Sequence, residues 1–62
     1  KSIVSTVRIP AGTAITASMV MCKSPGYGLK PNMLGKIIGQ KVAVDIEADV
    51  VITKDHIVWG ES

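Results

Sequence analysis

Few residues in this 62-residue chain are of types that do chemistry. His56 follows Asp55, a carboxylate and imidazole side by side. No second histidine and no Ser or Cys nucleophile stands at a spacing that completes a catalytic set, so a surface histidine is the simpler reading. In the repeat described below it matches Met19, a position compatible with partial burial. Cys22 stands next to Lys23, a cation of the sort that activates a nucleophilic thiol. An unpartnered cysteine more commonly serves as a small apolar residue, and a half-buried structural thiol is the favoured reading. Gly26-x-Gly28 starts like a phosphate loop but lacks the third glycine and the strand-to-helix setting. Asp45, Glu47 and Asp49 alternate and so share a face, which is solvated or at most a weak patch for a divalent cation.

The stretch with the most shape is "KSPGYGLKP", residues 23–31. Pro25 restricts Ser24 to extended geometry, Gly26 and Gly28 permit positive φ on either side of Tyr27, and Pro31 suits the first position of a helix. It reads as a shaped turn, and the bland alternative is that it does nothing but turn the chain. Behind it, Leu34, Ile37 and Ile38 recur at helical spacing and Gly39 marks a stop, which predicts a helix of about two turns weakened by Gly35. "QKVAVDI" then alternates as a strand.

Both flanks of this centre are one pattern written twice. "TVRIPAGTAITASMV" (6–20) and "AVDIEADVVITKDHI" (43–57) match at Val7/Val44, Ile9/Ile46, Ala11/Ala48, Ile15/Ile52 and Thr16/Thr53, with Val20/Ile57 conservative. Each copy reads as a short strand, a turn whose Gly12 or Asp49 tolerates left-handed geometry, and a helical turn capped by the hydroxyl of Thr16 or Thr53. Two copies predict a pseudo-twofold arrangement, since a solenoid needs about three or more repeats.

Composition narrows the function. Hydrophobic residues are 47% of the chain, yet Tyr27 and Trp59 are the only aromatics, so the core must be aliphatic. The net charge is +2, with Lys23, Lys30, Lys36 and Lys41 central and Asp45, Glu47, Asp49, Asp55 and Glu61 later. One arginine and two separated aromatics do not make a nucleic-acid surface. No apolar run approaches a membrane span, no signal peptide opens the chain, and one cysteine forms no internal disulfide. These features predict a single domain over residues 1–62, in a reducing, cytoplasmic setting. A start at Lys1 without Met suggests a domain excised from a longer product.

"IPAGTAIT", "KSPGYGLKP" and "IIGQKVAVDIEADVVIT", taken with the repeat, resemble the antifreeze-like (SAF) domain at the C-terminus of sialic acid synthases and other nonulosonic acid synthases. Type III antifreeze proteins of fish share that fold. The resemblance runs from Ile3 to Ile57, and its most specific part is the Pro-Gly-Tyr-Gly-Leu-x-Pro loop. It implies a small, mixed, mostly β, pretzel-like (β-clip) fold of short strands and helical turns. It also implies a role as a cap: the domain of one subunit covers the mouth of its partner's TIM barrel in a domain-swapped dimer. There phosphoenolpyruvate condenses with an N-acetylated amino sugar with the help of a divalent metal held by the barrel. No cofactor is expected in this domain, no membrane or nucleic-acid partner, and in isolation a monomer. The capping loop would be Lys23, Ser24, Pro25, Gly26, Tyr27 and Gly28, with Ser24 standing where bacterial relatives carry an arginine that reaches the sugar's N-acetyl group. The alternative is ice binding through Thr13, Ala14, Thr16, Met19 and Lys41. Against it, Val7, Arg8, Gly12 and Lys41 replace Gln, Leu, Asn and Gln of the fish proteins, and the two hydrated cations would disturb an ordered water layer. A module of pilus or flagellar assembly is a weaker alternative, for which the PGYG loop is atypical.

Overall fold

Short β-branched runs broken every few residues by turn formers cannot build long strands, and the chain folds accordingly into short ones. The computed structural model describes residues 1–24 and 26–60. Strand β1 (Ser2–Ser5) pairs antiparallel with β2 (Val20–Lys23), in a register running from Ser2 opposite Lys23 to Ser5 opposite Val20. Strand β3 (Lys41–Val42) pairs antiparallel with β4 (Ile57–Val58). Single bridges join Val4 to Val51, Ile9 to Ile46 and Ala14 to Lys41. Short 3-10 turns over Ala17–Met19 and Lys54–His56 lead into β2 and β4, and a third, Pro31–Met33, runs into helix α1 (Leu34–Ile37).

The two sequence copies face each other across an approximate twofold axis. Ile9 and Ile46, equivalent positions, exchange both backbone hydrogen bonds, at 2.7 and 2.8 Å. Away from the axis several bonds have counterparts in the other half. Thr6 N–H donates to Met19 O at 2.8 Å as Ala43 N–H does to His56 O at 2.7 Å. Ile15 N–H donates to Gln40 O and Ile52 N–H to Ile3 O, both at 2.9 Å. Gly12 N–H reaches Val42 O at 2.8 Å, and Asp49 N–H reaches Ser5 O at 2.9 Å. Gly12 (φ +87°) and Asp49 (φ +62°) both take the left-handed conformation, where their turns need it.

Pairing of equivalent residues also places the core. Ile3, Ile9, Ile15, Ile37, Ile46, Ile52, Val20, Val42 and Ile57 form one buried cluster, with Met19, Cys22, Leu29, Met33, Leu34 and Val50 packed against it. No aromatic ring takes part, so the interior depends on many small contacts, each worth about 1.5–3 kcal/mol per buried aliphatic side chain. Two serines are buried with it. The Ser5 hydroxyl donates to Glu47 O at 2.6 Å and accepts from Val50 N–H at 3.0 Å, so its burial leaves no lone polar atom.

Three local expectations change. The alternating "QKVAVDI" is not one strand: β3 ends at Val42, because its partner β4 has only two residues, and the chain bends before Ile46 returns to the axis. Thr16 does not cap its turn through its hydroxyl, which lies 3.2 Å from the Ser18 hydroxyl; a single 3-10 turn is closed instead by Met19 N–H on Thr16 O at 3.0 Å. Gly28 does not take positive φ; among the described residues the glycines that do are Gly12 and Gly39, the latter ending the segment behind α1 at φ +93°.

Candidate functional site

The loop after β2 leaves the sheet at Lys23 and rejoins the body at Gly28, and both ends are held. At its start, Lys23 Nζ lies 2.7 Å from Asp49 Oδ1, in the turn of the second repeat. At its end, Gly28 N–H donates to the Ser2 hydroxyl at 3.0 Å. Leu29 then ties both halves together, its N–H donating to Ile52 O at 2.9 Å while its carbonyl accepts from Ile3 N–H at 2.8 Å.

Gly28 is there for space. A Cβ at this position would overlap Val51 Cγ1 and lie 2.7 Å from Ile52 O, so a side chain here would push the loop off the second repeat. Gly26 is also close-packed, with a Cβ falling 3.0 Å from the backbone nitrogen of Lys1. Between these glycines Tyr27 stands out, 73% exposed. Beside it opens a shallow cleft of about 300 Å³ lined by Tyr27, Gly28, Leu29, Thr53, Lys54 and Asp55. Its far wall is the 3-10 turn Lys54–His56, braced by Trp59 Nε1 donating to Lys54 O at 3.0 Å and by the imidazole Nδ1 of His56 accepting from Thr53 N–H at 3.0 Å. The cleft thus offers a phenol, a hydroxyl, an ammonium and a carboxylate with apolar floor between them. That set can bind a polar molecule; it contains no activated nucleophile.

Lys23, Gly26, Tyr27 and Gly28 therefore belong to one arrangement, and Ser24 is exposed on the same loop. Pro25 lies outside the described residues. Lys23 points its ammonium at Asp49 rather than along the loop tip. Ser2 and Leu29, which anchor the loop, and Thr53, Lys54 and Asp55, which face Tyr27, carry no local signal in the sequence; only the pairing of distant segments brings them here.

The remaining candidates fall elsewhere. His56 is half-buried and braces a turn, and Cys22 is half-buried on β2 against the core. The carboxylates do not act as one face: Asp45 and Glu47 hold the Arg8 guanidinium at 3.1 and 3.3 Å, and Asp49 takes Lys23. Asp45 also accepts from Ala11 N–H at 2.8 Å. Among the described residues no three His, Cys, Asp or Glu side chains converge on a metal position. No described helix is long and apolar enough to cross a membrane. Of the alternative ice-binding set, Thr13 and Met19 are half-buried, whereas Ala14, Thr16 and Lys41 are exposed, Ala14 and Lys41 as bridge partners. Arg8 is paired with two carboxylates, and Lys41 is exposed.

A family model described as the SAF domain matches residues 1–58. N-acetylneuraminate-9-phosphate synthase of Mus musculus is 36% identical over 58 residues, which are 92% of this chain and 16% of the mouse protein. The solution structure of an antifreeze-protein-like domain in human N-acetylneuraminic acid phosphate synthase matches with a TM-score of 0.87 at 33% identity, over 92% of this chain and 73% of that one.

Proposed function

The chain belongs to the SAF-domain family, homologous to the antifreeze-like domain of N-acetylneuraminate-9-phosphate synthase, and on that premise we propose that it closes the active site of such a synthase. In this reading a TIM barrel condenses phosphoenolpyruvate with an N-acetylated amino sugar, and the chain caps the barrel of the partner subunit and helps hold the dimer together. In this reading the catalytic groups are the barrel's. The divalent metal of this reading belongs with the barrel; among the described residues Asp45, Glu47 and Asp49 face Arg8 and Lys23.

One observation carries the proposal: a loop fixed at both ends that holds an exposed tyrosine over a cleft with nothing in the domain to cover it. A loop shaped in advance loses little conformational freedom when it closes over a ligand, and its closure excludes water from the reacting centre. Tyr27 offers an apolar ring for an acetyl methyl and a hydroxyl for a polar neighbour. Ser24 offers a short hydroxyl where the bacterial pattern has a long cation, so the sugar contact here is built on neutral groups.

The experiment is steady-state kinetics on the full-length protein with Tyr27→Ala. Because Tyr27 is so exposed, the melting temperature should stay within the range of a surface change, about 0.5 kcal/mol. The expected result is a rise of tenfold or more in the KM for the amino sugar, or an equal fall in kcat, about 1.4 kcal/mol of lost recognition. Unchanged kinetics would reject the capping role.

A further inference from the structure

Asp49 keeps a left-handed backbone, at φ +62°, where its twofold equivalent is Gly12 at φ +87°. The two residues donate their N–H groups to equivalent carbonyls, and nothing lies within 4 Å of a Cβ built on Gly12. Neither position thus needs a side chain to complete the turn, and a left-handed backbone favours glycine. What Asp49 adds is its carboxylate, and that carboxylate holds Lys23. The equivalent of Lys23 in the second half is Gly60, so the repeat has glycines at both places where this ion pair stands. The pair is a departure from the internal symmetry, and it sits at the root of the loop.

We propose that Lys23 and Asp49 are positioning residues: their ion pair biases the path the loop takes as it leaves β2 and so the placement of Tyr27. The inference rests on the capping reading only for its kinetic consequence. Both side chains are partly exposed, at 42% and 74%, so the pair biases the loop rather than locking it, and salt weakens it.

Hydrogen exchange at residues 26–28 of the full-length protein, read beside kinetics, tests this. In Asp49→Gly the turn should be at least as stable as before, yet exchange at Tyr27 and Gly28 should rise about two- to fivefold, the scale of an exposed ion pair. Asp49→Asn, which retains left-handed tolerance without the charge, should do the same. Gly12→Asp, an aspartate with no lysine opposite, should leave the loop unchanged. High salt should raise loop exchange in the parent protein and not in Asp49→Gly. Loop exchange unaffected by Asp49→Gly and Asp49→Asn overturns the inference. A loosened loop with the amino-sugar KM unmoved upholds the ion pair's role and overturns the capping function instead.

Discussion

The two halves of the molecule share several of their backbone hydrogen bonds and differ in what lies over them. In the first half Ala14 and Thr16 are exposed, whereas in the second the equivalent Val51 and Thr53 are half-buried, with Gly28 of the loop pressed against Val51. The first turn ends on Gly12 and β4 leads to Gly60; the second turn ends on Asp49 and β2 leads to Lys23, the pair that holds the loop. The difference teaches which parts answer to which demand. Among the residues that repeat, Ile9/Ile46 and Ile15/Ile52 lie in the core, whereas Val7/Val44 and Ala11/Ala48 stay exposed. The unmatched Lys23–Asp49 pair and Gly28 are gathered around the loop, on the surface of that core.

If the halves are equal in the core, they should fail equally. Ile9→Ala and Ile46→Ala should each lose about 2–5 kcal/mol, which approaches the whole stability of a domain this small. The milder Ile9→Val and Ile46→Val, each costing about 0.5–1.5 kcal/mol, make the comparison measurable by denaturant midpoint. Midpoints shifted in one half and unmoved in the other would break the equivalence.

The unmatched region should respond by contact rather than by symmetry. Gly28→Val should destabilise by about 1–3 kcal/mol in thermal unfolding, since the added carbon meets Val51 and the Ile52 carbonyl. A neutral outcome would mean that the loop is not seated on the second repeat.

Legibility in the sequence followed the range of the interactions. The paired copies, the left-handed turns at Gly12 and Asp49, and the helical stretch from Pro31 with its stop at Gly39 all rest on near neighbours, and all are legible in the residues. Strand lengths were not, because β3 ends where its partner does. The loop's position was legible in its prolines and glycines, but not the reason for Gly28, whose constraint is a side chain and a carbonyl from the second repeat. Its anchors Ser2 and Asp49 were hidden for the same cause: each acts on a residue brought near only by the folded topology.

In the capping arrangement proposed above, Tyr27 should face another domain. A photoreactive benzophenone side chain placed at Tyr27 of the full-length protein tests it directly, because the residue is exposed and its replacement leaves the core alone. The account predicts cross-links to a catalytic barrel, yielding a covalent dimer when the barrel belongs to the partner subunit. Cross-links confined to residues 1–62, or none at all, would contradict it.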